Sequence, residues 1–182
     1  MKHVLLIALC STIMALSGCT KEKAPELAQN IPAITLSAAD KEKLVAFQKE
    51  ILSVENLADK AVKLAGDELK NVVKGGEVSI SLPAIIDKAK AECLLAGEEL
   101  AKKKIPEALP PEIKILLNDG KTGLIAAYKA YAESYDAIKS FATDKNPMDL
   151  LEYRKKYAQA QELFTGASAK VKAIMTAAGV AQ

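Results

Sequence analysis

The stretch that decides the fold is Asn146–Ala178, NPMDLLEYRKKYAQAQELFTGASAKVKAIMTAA. Its apolar residues fall at Leu150, Tyr153, Tyr157, Ala160, Phe164, Ala167, Val171, Ile174 and Ala178, in alternating steps of three and four with none missed. That spacing is the seam of a helix that packs against other helices. Asn146 is placed to cap the first turn, and Pro147 takes the first helical position, where its missing N–H costs nothing. A helix of this length cannot bury its seam alone, so the same period must recur elsewhere in the chain.

It recurs three times. Upstream, Pro110-Pro111-Glu112 opens a helix with the seam Ile113, Leu117, Leu124, Ala127, Tyr131 and Ile138; Asn118-Asp119-Gly120 and Gly123 predict a kink or short break inside it, since an interior glycine costs about 1 kcal/mol relative to alanine. Before that, a helix starting at Ser81 with Pro83 in its first turn has the seam Ile86, Ala89, Cys93, Ala96 and Leu100, and ends in Lys102-Lys103-Lys104, cations at the negative end of the helix dipole. The first helix opens at Ser37-Ala38-Ala39-Asp40, a capping box, and runs through Leu44, Phe47, Ile51, Val54, Ala58, Ala61 and Ala65, then Leu69 and Val72, to a stop at Lys74 before Gly75-Gly76. EVSIS, residues 77–81, has β character but no partner strand, and is expected as an extended loop. Four helices with short connections predict an all-α fold, an up-down-up-down four-helix bundle with coiled-coil-like seams. The same heptads could pair between chains, but one chain with four seams can bury them itself, so a monomeric bundle is expected.

The N-terminus reads differently. Lys2 and His3 precede an apolar run, Val4–Leu16, too short to span a hydrocarbon core of about 30 Å, so it is a signal peptide. Leu16-Ser17-Gly18-Cys19 resembles the lipobox of bacterial lipoproteins. The resemblance implies that residues 1–18 are removed, that Cys19 is acylated, and that several acyl chains on it hold the membrane stably. With Thr20 rather than Asp after the cysteine, it further implies an outer-membrane anchor facing the periplasm of a Gram-negative cell. Residues 19–36, with two prolines and no sustained period, form the expected tether, and residues 37–182 the bundle.

Cleavage would remove one base, Lys2, and no acid, leaving 24 bases against 23 acids. No polyanion partner is implied. Tryptophan is absent and no basic stripe alternates with aromatics, which argues against nucleic-acid binding. Of three cysteines, Cys10 leaves with the signal and Cys19 carries lipid, so Cys93 stands alone and is expected as a buried, inert thiol.

Catalytic groups are scarce. His3 is the only histidine and lies in the signal, so histidine-based metal sites and Ser-His-Asp or Cys-His arrangements are not expected in the mature protein. Gly120-Lys121-Thr122 suggests a phosphate loop, but the position five before Gly120 is Ile115 instead of glycine, and no strand precedes it. No serine stands three residues before a lysine. No enzyme activity, metal or cofactor is expected.

All five tyrosines, Tyr128, Tyr131, Tyr135, Tyr153 and Tyr157, lie on the last two helices. Antiparallel pairing predicts Tyr135 near Tyr153, Tyr131 near Tyr157, and Asp136 within reach of Arg154. These seven residues are the candidate interaction surface, since tyrosine and arginine supply large contact area with little loss of entropy. They read equally as a thick packing layer with hydroxyls at the solvent edge. The function expected from the sequence is that of a membrane-anchored interaction or accessory module for another envelope component; the alternative is a carrier of a lipid or small apolar ligand in the bundle interior. A covalent spacer to the cell wall would need a C-terminal lysine, whereas the chain ends Gly179-Val180-Ala181-Gln182.

Overall fold

The computed structural model describes residues 34–74 and 76–180; the signal segment, Cys19 and most of the expected tether lie outside them. The described residues form four helices, α1 (Ala38–Val73), α2 (Leu82–Lys102), α3 (Pro111–Asp144) and α4 (Pro147–Ala177), and no strand. Residues 76–79 form neither helix nor strand.

The helix ends follow the sequence signals. Ser37 Oγ accepts from the Asp40 N–H at 3.1 Å, capping the first turn, and donates to the Asp40 carboxylate at 2.6 Å. Asn146 Oδ1 accepts from the Met148 N–H at 3.1 Å. Between α3 and α4 the chain turns through Lys145, the only non-glycine described residue at positive φ (56°), whose N–H returns to the Phe141 carbonyl at 2.9 Å. At the far end of α4, Gly179 (φ 63°) ends the helix, with the Val180 N–H bonded to the Met175 carbonyl. Ile34 and Leu36 lie against the bundle: the Ile34 N–H donates to the Ala177 carbonyl at 3.0 Å, and Leu36 is buried.

Cross-helix pairs fix direction and register. Lys139 reaches Asp87 and Lys90 reaches Asp136, so α2 and α3 run antiparallel; Tyr128 meets Phe164 and Tyr131 meets Tyr157, so α3 and α4 do too. Each helix packs on the next in the chain, and α4 returns beside α1. The four sides are unequal: α3 and α4 lie closest together, whereas α1 and α4 approach one another at few points.

Every seam residue named above for α1, α2 and α3 is buried, and all but Ala127 belong to one continuous core. The expected interruption of α3 is absent. It is one unbroken helix, because its glycines serve contact with α4 and not flexibility. A Cβ on Gly120 would sit 2.8 Å from Val171 Cγ2, and one on Gly123 would sit 2.8 Å from Ala167 Cβ. The helical cost of each glycine is offset by the packing that close approach permits.

Large and small residues also alternate between the two hairpins. Lys121 donates to the Lys103 carbonyl and Lys103 pairs with Glu50, so the Gly120–Gly123 turn of α3 stands level with Phe47 and Ile51 of α1. Halfway along, the order inverts: α1 offers Ala58, Ala61 and Ala65 and α2 offers Ala89, Cys93 and Ala96, all buried, against the tyrosines of α3 and α4.

Candidate functional site

The tyrosines form an interior layer. Tyr135 is fully buried, and Tyr128, Tyr131 and Tyr153 are nearly so; Tyr157 is half-buried. The expected Tyr131–Tyr157 contact exists, edge to face with centroids 5.3 Å apart. Tyr153 tilts against Tyr157 at 5.5 Å, and Tyr128 meets the edge of Phe164 at 5.9 Å, a contact the spacing of tyrosines alone did not suggest. Burial raises the hydroxyl pKa of all five above the ordinary tyrosine value, so they stay neutral across the biological range. Cys93 lies against the same layer. Its thiol is pushed up to about 12, chiefly by burial and secondarily by the Glu92 charge, so it holds no reactive thiolate.

Asp136 and Arg154 are exposed. Asp136 forms an ion pair with Lys90 of α2, at 2.5 Å. Among the seven candidate residues, then, those open to solvent are Asp136, Arg154 and part of Tyr157, while four aromatic rings are committed to the core.

Lys121, the lysine of the Gly-Lys-Thr triplet, is occupied in a structural contact: its Nζ donates to the Lys103 carbonyl at 3.0 Å, satisfying a backbone acceptor where α2 ends. Among the described residues no group of three or more His, Cys, Asp or Glu side chains is arranged to hold a metal ion, and no helix is long and apolar enough to cross a membrane.

Three features lie outside the candidates picked from sequence. The first is Glu55, half-buried on α1 near Tyr128; burial, reinforced by the neighbouring charge of Asp59, raises its carboxyl to about 7. Glu55 directly follows the seam residue Val54, so only the packing of α1 against its neighbours could reveal its burial. The second is the Tyr135 hydroxyl, buried with no hydrogen-bond partner. The third is a set of leucines off the seams, Leu52, Leu57 and Leu64 on α1 and Leu94 and Leu95 on α2, each between 43% and 51% exposed. Leu57 and Leu64 are seven residues apart and share one face of α1. The Glu50–Lys103 pair sets Leu57 level with Ala96, so Leu95 stands at the same height on the adjoining helix. Apolar residues recurring every seven positions outside the seam were the sequence signal for this face.

Two open grooves lie elsewhere. One of about 400 Å³ is lined by Val45, Ala46 and Val180, and a larger one of about 770 Å³ runs along α3 and α4 beside Gly123, Gly166 and Ala167. Neither reaches the tyrosine layer. No family model, curated protein or solved structure matches the chain.

Proposed function

We propose that this protein is a lipid-anchored, non-catalytic helical bundle that docks another component of the bacterial envelope, held through Cys19 at the periplasmic face of the outer membrane. The observation that carries the docking role is the leucine face of the α1–α2 hairpin. A helix that buries a complete seam yet shows two half-exposed leucines one heptad apart has a second apolar stripe to cover. With Leu95 beside it, that stripe suits an amphipathic helix of the partner, laid along the hairpin with anchors at heptad spacing. The near-neutral charge of the mature chain favours such a contact over polyanion binding.

The test is affinity capture from crosslinked intact cells. Leu57→Glu and Leu64→Glu together should abolish recovery of the partner while leaving the melting temperature within about 2 °C of wild type, since both positions are half exposed. Undiminished capture by this variant overturns the assignment of the face.

A second reading, a carrier of a small apolar ligand, is favoured by one observation. The Tyr135 hydroxyl is a buried donor with nothing to donate to, and proteins seldom leave such a group unanswered.

A further inference from the structure

The Tyr135 hydroxyl supports an inference beyond docking, one that deepens the carrier reading and rests on it. Tyr135 is fully buried, and its hydroxyl lies among Cys93, Tyr131, Tyr153 and Tyr157 with no hydrogen-bond partner. All of these groups are uncharged at neutral pH. The wall facing them is short-chained: Ala58, Ala61 and Ala65 on α1, with Ala89 and Ala96 on α2. On one side the layer meets the α1–α4 seam, the side of the bundle where two neighbouring helices come close at fewest points. There the edge is made of the half-buried Tyr157 and Phe164, with Tyr157 Oη 3.6 Å from where a Gly66 Cβ would stand.

We infer that α1 parts from α4 to admit a small uncharged apolar molecule with one hydrogen-bond acceptor, a ketone or ester, and that Tyr135 Oη donates to that acceptor. The chemistry follows from the layer. Aromatic rings and alanine methyls bury hydrocarbon, the buried unanswered donor selects an acceptor, and one neutral hydroxyl does not offset the cost of burying an ionised carboxylate or phosphate.

Residues 20–182 hold all four helices and can be studied without the acyl chains. Two fluorescent probes separate the requirements: Prodan, an uncharged ketone, and diphenylhexatriene, a hydrocarbon without an acceptor. Prodan should bind with blue-shifted emission, and Tyr135→Phe should weaken it about tenfold, the share of one hydrogen bond, while diphenylhexatriene binds both proteins equally. Tyr135→Phe should melt no lower than wild type, which excludes unfolding as the cause. Equal Prodan affinity in the two proteins overturns the role of Tyr135 and leaves the carrier reading standing. Failure of wild type to take up either probe overturns both. The leucine-face capture experiment is independent of each outcome.

Discussion

The two halves of the α3–α4 pair use opposite devices to make the same kind of contact. In the half nearer the start of α3, Gly120 and Gly123 remove side chains so that α4 can seat Ala167 and Val171 against bare backbone. In the other half, Tyr128, Tyr131, Tyr153, Tyr157 and Phe164 fill the space with rings that meet edge to face or tilted. The α1–α2 hairpin is cut to match, with Phe47 and Ile51 opposite the glycines and Ala58, Ala61 and Ala65 opposite the tyrosines. Large and small residues thereby trade places between the hairpins along the bundle. Only one register satisfies both halves, so the pattern specifies the fold as well as stabilising it. The contrast also shows where strain can be stored. The glycine half tolerates no added atom, whereas the tyrosine half carries an unanswered hydroxyl and a half-buried carboxyl beside its loosest seam.

The largest break in this contrast is Tyr135→Ala, which empties the centre of the ring layer; a loss of about 3–5 kcal/mol is expected in denaturant unfolding. A loss below about 1 kcal/mol would mean that the layer collapses freely and is not a packed core. Next comes Gly123→Ala. Alanine is the better helix former by about 1 kcal/mol, but its Cβ would stand 2.8 Å from that of Ala167, which is fixed to the backbone and cannot swing away. A net loss of about 1–2 kcal/mol is expected from overpacking, and a gain in melting temperature would show that the close approach is not real.

Glu55→Gln sharpens the contrast through pH. The carboxyl titrates near 4.5 in the unfolded chain and about 7 in the folded one. The folded state therefore binds the proton more tightly, and stability from this group is fully present below 4.5, falls as pH climbs to about 7, and is level above that. At pH 8 the variant should be more stable than wild type by on the order of 1–2 kcal/mol, the full shift being reduced by solvent at a half-buried site. At pH 4 the two should melt together, and a gain of equal size at both pH values would detach the effect from ionisation. The smallest expected effect is at the turn closing the tyrosine half. Lys145→Gly relieves a left-handed residue at φ 56° and should raise stability by about 0.5–1 kcal/mol, read as a rise of a few degrees in melting temperature.

Much of the fold was legible in the sequence because helix packing has a period. Leu44 to Val72, Ile86 to Leu100 and Leu150 to Ala178 could be picked out by steps of three and four, and Asn146 and Ser37 announced their caps. What misled was glycine. In one dimension Gly120 and Gly123 look like breaks, and only the proximity of Ala167 and Val171 shows them to be contacts. The tyrosines were legible as a cluster, and the Tyr131–Tyr157 contact follows from antiparallel register. Their depth was not, because a tyrosine on a seam can point its hydroxyl to solvent or into the core, and the choice depends on how small the facing residues are. Here Ala58, Ala61 and Ala65 let the rings in. Asp136 illustrates the same limit. The α3–α4 register pointed to Arg154, and the geometry adds Lys90 of α2, a partner on the other neighbouring helix. Glu55 was out of reach, since nothing local distinguishes a carboxylate beside a seam that closes tightly from one beside a seam that does not.

The tyrosine residues thus pack the interior of the bundle, and the docking role we propose assigns recognition of a partner to the leucine face. The most direct test places a photo-crosslinking amino acid, one position at a time, at Leu57, Leu64, Leu95, Arg154 and Asp136 of the full chain in intact cells. The expected result is one dominant envelope protein joined through Leu57, Leu64 and Leu95, with nothing comparable at Arg154 or Asp136. A partner joined through Arg154 and Asp136 and absent from the three leucines would contradict it, and would return recognition to the tyrosine end of the bundle.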